Sequence, residues 1–294
     1  MSDAQAVLRN WADARQAAQE VRGSMRWKTT AGKRYLVRVS PAGAEKSLGP
    51  EDGRTTEMYG AFHRRKEQAQ ARLKAMRERM DEMRRLNRAY RVGRVPTIVV
   101  RCLHAIDEAG LAGQFLVVGT HALYAYETAA GVRVESGALA TQDLDVLFDV
   151  DKLRAFTTRI KQSDARSFIN VLRRADPSFR VRRDQLQTAV NDSGFEVDVI
   201  RRVVTDGEDD FWAVQADQRQ RMASGRKFEQ MVVSATGEMA VMRTLHPLDF
   251  IRLKQELSQR PGRDPLKAPK DQLQAETVQA IWDEYLEALD NLPR

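Results

Sequence analysis

The sequence contains a single cysteine, Cys102, and only four histidines in 294 residues. One cysteine excludes an intramolecular disulfide and a metal cluster built from thiolates. His63, His104 and His246 do not stand at metal-ligand spacing from one another or from the cysteine, so a histidine-based metal site is not expected. The apolar residues that surround Cys102 instead predict a buried thiol.

The sequence also lacks long apolar runs, internal repeats and low-complexity tracts. No stretch approaches the roughly 20 apolar residues that a membrane-spanning helix needs. The first residues have no signal-peptide pattern, so we expect a cytoplasmic protein without a membrane partner. With 42% hydrophobic and 30% charged residues, the chain has the composition of a soluble protein and the length for two domains.

Two carboxylates, Asp143 and Asp145, occupy alternate positions of the stretch 141–148. Apolar residues alternate with them, which is typical of a half-buried strand. Side chains two apart on a strand point to the same face, and their Cα atoms lie roughly 7 Å apart. Because like charges at that distance repel, the pair predicts a bound cation and indicates half of a magnesium site.

A strand, a turn and a helix are predicted just before this pair. The apolar run 114–118 ends in Gly119 and Thr120, and residues 121–130 suit a helix that ends at Gly131. The backbone N–H groups at a helix N-terminus favour a phosphate. Gly119 would let the phosphate approach the backbone, and the Thr120 hydroxyl could donate a further hydrogen bond or cap the helix.

A third carboxylate follows the pair along the chain. Residues 191–194 form a turn between two strand-like runs, and the second run covers residues 195–200. Asp198 lies on the face of that run opposite the apolar residues, where it could supply a third ligand. Glu196 lies on the same face and is a competing candidate.

Together, these features resemble the DNA polymerase β-like nucleotidyltransferase superfamily, and the match covers Gly119, Thr120, Asp143, Asp145 and Asp198. The resemblance implies an α+β fold with a mixed sheet, flanking helices, and helical N- and C-terminal additions. It also implies that the three aspartates hold two Mg²⁺ ions, which bridge a nucleoside triphosphate (NTP) and the attacking hydroxyl. The family usually has Gly-Ser where this chain has Gly-Thr. The spacing from Gly119 to Asp143 is more similar to that of the abortive-infection and toxin-type nucleotidyltransferases.

A second stretch, from His246 to Asp271, resembles uncharacterised bacterial proteins with a nucleotidyltransferase fold. In related toxin-type enzymes, a helix lysine and nearby basic residues contact the nucleotide phosphates. The resemblance therefore implies that Lys254 binds the nucleotide, and Arg263 and Lys267 are the next candidates. Alternatively, Lys254 is an exposed residue of an amphipathic helix. His121, similarly, could touch the nucleotide or lie on a helix surface.

The net charge of +7 is concentrated between residues 61 and 94, where 12 Lys or Arg stand against 4 Asp or Glu. Helical spacing of apolar residues predicts one long amphipathic helix there. Its basic side is either a solvated surface or a track for a polyanion such as tRNA or another RNA. For the second alternative, the residues expected to bind nucleic acid are Arg84, Arg85 and Arg88.

The sequence thus predicts four parts. These are an N-terminal helix with a small β-hairpin (1–60), a long basic amphipathic helix (61–95), a nucleotidyltransferase core (96–246) and a helical C-terminal region (247–294). The expected function is Mg²⁺-dependent transfer of a nucleoside monophosphate from an NTP to a hydroxyl, with release of pyrophosphate. The acceptor is expected to be tRNA, with a protein or small molecule as the other acceptors. The alternative is a catalytically inactive protein of the same fold that binds nucleic acid or an antitoxin partner.

Overall fold

The computed structural model describes residues 2–139, 141–148, 168–200 and 225–290. The chain divides into two units, Met1–Tyr90 and Arg91–Arg294. The first unit has 20 Lys or Arg against 11 Asp or Glu, a net charge of +9, whereas the second has 28 against 30 and a net charge of −2. The positive charge of the protein therefore belongs to the first unit. The four-part division proposed from the sequence stays a prediction.

The first unit combines two helices with a three-stranded antiparallel sheet in the order β1-β2-β3. Its elements are α1 (Ser2–Glu20), β1 (Ser24–Thr30), β2 (Lys33–Val39), β3 (Glu45–Pro50) and α2 (Gly53–Ala89). β2 and β3 correspond to the predicted hairpin, but the sequence pattern did not predict β1. This strand has only one buried residue, Met25, so it lacks the apolar alternation that indicates a strand.

The long helix α2 begins at Gly53, earlier than the sequence pattern predicts. Asp52 forms a capping box, in which its carboxylate accepts a hydrogen bond from the Thr55 backbone N–H at 2.7 Å. The Thr55 hydroxyl oxygen in turn accepts from the Asp52 backbone N–H at 2.9 Å. These bonds satisfy the first N–H groups of the helix and start it eight residues before the basic segment.

The second unit contains a seven-stranded mixed sheet in the order β6-β7-β8-β5-β4-β10-β9. The pairs β5–β8 and β4–β10 are parallel, and the other neighbours are antiparallel. The strands are β4 (Phe115–Val118), β5 (Asp143–Phe148), β6 (Arg180–Val181), β7 (Thr188–Val190), β8 (Glu196–Ile200), β9 (Lys227–Val233) and β10 (Met239–Leu245). The predicted α+β class with a mixed sheet and flanking helices is confirmed.

Helices flank this sheet and complete its core. They are α3 (Thr97–Glu108), α4 (Leu123–Ala130), α5 (Ser136–Leu139), α6 (Phe168–Ala175), α7 (Pro247–Ser258), α8 (Lys267–Ile281) and α9 (Glu287–Asp290), with a π-helical turn at Trp282–Leu286. β4 is buried along its whole length. Cys102 of α3 is fully buried as predicted, and burial raises the pKa of its thiol to about 12.

The helix α8 begins at Lys267, although the prolines of residues 261–269 favour a loop there, with a helix only from Asp271. Pro269 is its third residue. Proline is tolerated there because the first N–H groups of a helix have no intrahelical partner. As a result, Lys270 and Asp271 lie on the helix. The sequence also predicts a helix at residues 155–160, but these residues lie outside the described part of the chain. Among the described residues, no helix is both long and apolar enough to cross a membrane.

Candidate active site

The structure brings together the three aspartates that the sequence singles out. Asp143 and Asp145 lie on β5, and Asp198 lies on the parallel neighbour β8, directly opposite Asp145. One carboxylate oxygen from each residue lies within 4.8 Å of the other two. Three carboxylates at this separation form the kind of oxygen-donor set that hard divalent cations such as Mg²⁺ prefer.

Glu196, the competing candidate, has another partner. It lies on β8 opposite Asp143. However, its carboxylate accepts a hydrogen bond from the Arg182 guanidinium at 2.7 Å. Asp198 instead accepts from the hydroxyl of Thr188, which leaves its carboxylate beside the Asp143–Asp145 pair.

Burial and neighbouring carboxylates raise the pKa of Asp145 and of Asp198. Burial, followed by the charges of Asp143 and Asp198, raises the pKa of Asp145 to about 7. Burial is also the main cause that raises the pKa of Asp198, against the opposing hydrogen bond from Thr188. A cation held among the three would relieve this repulsion, so the residues present fit a divalent metal ion.

Gly119 is required by its backbone conformation and by the close approach of Asp145. Its φ of 68° lies in the left-handed region that favours glycine. A Cβ atom at this position would lie only 2.1 Å from Oδ2 of Asp145. Gly119 therefore makes room for a carboxylate of the candidate metal site, a role that its place in the sequence did not reveal.

Thr120 begins a short 3₁₀ turn, Thr120–Ala122, that precedes α4. Its side chain is buried, and it is not the N-cap residue of the turn, which is Gly119, or of α4, which is Ala122. Its hydroxyl oxygen instead accepts from the amide of Gln274 on α8 at 3.0 Å. The same amide nitrogen donates to the carbonyl oxygen of Ala138 at 2.9 Å. No sequence signal points to Gln274, because it is far from Thr120 along the chain.

Lys254 is buried, so its interpretation as an exposed residue of an amphipathic helix is wrong. Its ammonium group lies 2.7 Å from a carboxylate oxygen of Asp271, which is also buried. Nε of Arg263 donates to the other carboxylate oxygen of Asp271 at 2.9 Å. The charge of Lys254 still acts on the acidic site, because it opposes the rise in the pKa of Asp145.

Lys270 is a basic residue of this site that the sequence pattern did not single out. It is half-buried on α8, one helical turn before Gln274. Burial lowers the pKa of its ammonium group, whereas the charges of Asp143 and Asp145 act in the opposite direction. Lys267, at the start of the same helix, is exposed, and its charge also opposes the rise in the pKa of Asp145.

His121 lies in the interior rather than on a helix surface. Its ring is 1% exposed and stacks on Phe195, with a centroid distance of 6.1 Å and an interplanar angle of 12°. Neither ring nitrogen has a hydrogen-bond partner among the residues that the structure describes. Burial, together with the charge of Lys270, lowers the pKa of His121 to about 4, so the ring is neutral at neutral pH.

The residues proposed for nucleic-acid binding belong to the first unit. Arg84, Arg85 and Arg88 are exposed on α2. Arg84 lies 3.7 Å from Asp81, a separation at which a surface ion pair contributes little. All three residues lie in the C-terminal part of this helix.

A model of the family described as "Nucleotidyltransferase" matches residues 97–291. The matched range includes Gly119, Thr120, Lys254 and the three aspartates, and it excludes the whole first unit. Comparisons with curated proteins and with solved structures gave no match. Because the match covers more than half of the chain and contains the acidic site, the chain belongs to the nucleotidyltransferase family, a family of transferases.

Proposed function

We propose that this protein is a Mg²⁺-dependent enzyme of the polymerase β-like type, related to the toxin and abortive-infection nucleotidyltransferases. It transfers a nucleoside monophosphate from an NTP to a hydroxyl and releases pyrophosphate. The observation that carries this proposal is the cluster of Asp143, Asp145 and Asp198, whose carboxylate oxygens lie within 4.8 Å of one another. Membership of the nucleotidyltransferase family supports it.

The three aspartates would hold two metal ions. Asp143 and Asp145 would contribute to both ion sites, and Asp198 would complete the site next to the attacking hydroxyl. When bound there, Mg²⁺ supplies charge that neutralises the triphosphate and lowers the pKa of the hydroxyl. Thr188 keeps the Asp198 carboxylate oriented through its hydrogen bond.

The NTP would bind beside Gly119 and Thr120. Backbone N–H groups of the short turn and the Thr120 hydroxyl would donate hydrogen bonds to the β and γ phosphates. Lys254 would offset the negative charge that develops on these phosphates. Arg263 is included in the same nucleotide-binding group because it shares the Asp271 carboxylate with Lys254.

We further propose RNA, and tRNA in particular, as the source of the acceptor hydroxyl. The support is the net charge of +9 on the first unit, with Arg84, Arg85 and Arg88 exposed on its long helix. Contacts from basic side chains to phosphates contribute most of the sequence-independent affinity for nucleic acids. A protein side chain or a small molecule are the other acceptors to test.

The decisive experiment offers each of the four α-labelled NTPs, with Mg²⁺, to the purified protein together with total cell RNA and lysate. The labelled product identifies the donor and the acceptor in one measurement. The double variant Asp143→Ala/Asp145→Ala should give no labelled product. Glu196→Gln is the matched control, because Glu196 lies on the same strand face but outside the cluster. Undiminished transfer by the double variant would refute the assignment.

A further inference from the structure

Six side chains of the first unit form a continuous series of ring and guanidinium contacts, which we call the aromatic strip. In spatial order they are Arg34, Trp27, Tyr59, His63, Phe62 and Arg38. The guanidinium carbons of the two arginines lie 5.1 Å from the Trp27 ring and 4.5 Å from the Phe62 ring. Between these ends, neighbouring ring centroids are 5.8, 4.3 and 5.5 Å apart. Each ring therefore contacts the next.

Strand register and helix periodicity place these residues side by side. Trp27 pairs with Leu36, so Arg34 and Arg38, two residues to either side of Leu36, share the face of Trp27. Tyr59 and His63 are four residues apart on α2 and lie on one side of the helix. A ring nitrogen of His63 lies 3.1 Å from the carbonyl oxygen of Met25, which ties the helix to β1.

The strip lies at the surface of its unit rather than in the core. Trp27, Tyr59 and Phe62 are only partly buried and His63 is exposed. The core of this unit is built instead from smaller apolar residues such as Leu8 and Leu36, which are 5% and 0% exposed. Partly exposed rings flanked by cations are the side chains that single-strand-binding proteins offer to bases.

The surroundings of the strip are strongly basic. Between Arg22 and Lys66 the sequence has 11 Lys or Arg against 4 Asp or Glu. Glu45 pairs with Arg26 and Lys28, and Glu51 pairs with Arg34. Within the described residues, six further basic side chains of this segment are exposed and make no ion pair: Arg22, Lys33, Lys46, Arg54, Arg64 and Arg65. The charge of this surface is therefore complementary to a polyanion.

We propose that the aromatic strip binds single-stranded RNA, with bases stacked on Trp27 and Tyr59 and phosphates paired with the surrounding cations. Stacking requires bases whose faces are open, which a duplex does not offer. RNA is the source of such strands because its loops and ends are commonly unpaired, whereas DNA is normally duplex. The inference does not depend on the proposed transfer reaction, because the strip lies outside both the acidic cluster and the family match.

The test uses the full chain and a fluorescein-labelled oligouridylate of about 12 nucleotides, a typical site size for single-strand binders. Anisotropy should report binding that weakens steeply with salt and that is stronger than binding to an RNA duplex of the same length. Trp27→Ala and Tyr59→Leu should each weaken it about tenfold. Trp11→Ala is the matched control, because the Arg15 guanidinium carbon lies 4.6 Å from the Trp11 ring, outside the strip.

A second measurement, on conservative variants, separates loss of binding from misfolding of the truncated variants. Oligouridylate should quench tryptophan fluorescence in the wild type and in Trp11→Phe, but much less in the conservative variant Trp27→Phe. The proposal would be overturned by equal quenching in Trp27→Phe or by unchanged affinity in a folded Trp27→Ala. A preference for duplex RNA or for DNA would also overturn it. Asp143→Ala/Asp145→Ala should bind the oligonucleotide as the wild type does, so a failure of transfer and a failure of binding are separable.

Discussion

The side-chain amide of Gln274 donates a hydrogen bond to the hydroxyl oxygen of Thr120, and 154 positions of sequence separate the two residues. The orientation of the amide is determined by its second bond, since the carbonyl oxygen of Ala138 can only accept. Because the Thr120 oxygen acts as an acceptor towards Gln274, its proton is left to donate in another direction. This polarity suits an anionic ligand such as a phosphate.

Reversing this polarity should weaken nucleotide binding. In Gln274→Glu, a carboxylate replaces the donor beside Thr120 and accepts the hydroxyl proton. We expect the KM for the NTP to rise about tenfold, corresponding to the loss of about 1–1.5 kcal/mol for one hydrogen bond, with a smaller change in kcat. Steady-state kinetics and nucleotide titration measure the effect.

Thr120→Ser keeps the hydroxyl and should retain affinity for the nucleotide, whereas Thr120→Val should behave like Gln274→Glu. Wild-type affinity in both Gln274→Glu and Thr120→Val would contradict the polarity argument.

Gly119→Ala should damage the acidic site more than it damages the fold. The new Cβ atom would meet Oδ2 of Asp145 at 2.1 Å, so the carboxylate must move. Gly131→Ala is the control, because Gly131 has a similar φ of 70° but no neighbouring atom within 4 Å of the added Cβ. Both variants should lose unfolding free energy because φ is positive: about 1–2 kcal/mol at Gly131, and about 1–3 kcal/mol at Gly119, whose ψ of −154° lies in a region that is essentially restricted to glycine. Only Gly119→Ala should lose Mg²⁺ affinity, as measured by calorimetric titration, and equal affinity in the two variants would count against a metal site at Asp145.

His121 should make the protein less stable as the pH falls. Its pKa is about 4 in the folded state and about 6.5 when unfolded, so between these values the unfolded chain binds more protons. The contribution of the neutral His121 ring to the free energy of unfolding is therefore fully present above pH 6.5. It decreases by up to about 3 kcal/mol as the pH falls to 4. The measurement is the difference in urea unfolding free energy between the wild type and His121→Phe across this range. The difference between the two proteins removes the contributions of other titrating groups. One of these is Asp145, whose raised pKa makes the unfolding free energy decrease as the pH rises. A difference that does not change with pH would exclude this role.

Removing the carboxylate of Asp271 should leave a buried charge without its partner. Lys254 and Asp271 are 7% and 3% exposed, and their charged atoms are 2.7 Å apart. Asp271→Ala should cost about 3–5 kcal/mol of unfolding free energy, because the Lys254 ammonium remains buried. The double variant Lys254→Met/Asp271→Ala should recover a large part of that loss. Urea denaturation of the four proteins in the cycle gives the coupling energy, and simple additivity would show that the pair does not interact.

The sequence pattern predicted the parts of the site that depend on local geometry. The alternation around Asp143 and Asp145 indicated a strand with both carboxylates on one face, and this is observed. The glycine after the apolar run 114–118 lies at the expected turn. By contrast, the strand pattern alone did not exclude Glu196, and the choice of Asp198 rested on the family resemblance, because the pairing of Arg182 with Glu196 cannot be predicted from strand alternation.

The environments of Lys254, His121 and Gln274 were decided by tertiary packing alone. Whether a helix lysine is exposed or buried against an aspartate depends on the helix that packs over it. Strand and helix periodicity are properties of neighbouring residues and can be predicted from sequence, whereas hydrogen-bond partners more than 100 positions apart depend on how the elements pack. The sequence by itself determined that this protein presents a pair of aspartates on one strand beside a glycine turn. The tertiary structure decided which carboxylate joins them and which residue directs the Thr120 hydroxyl, because both choices need atoms that only the folded chain brings within bonding distance.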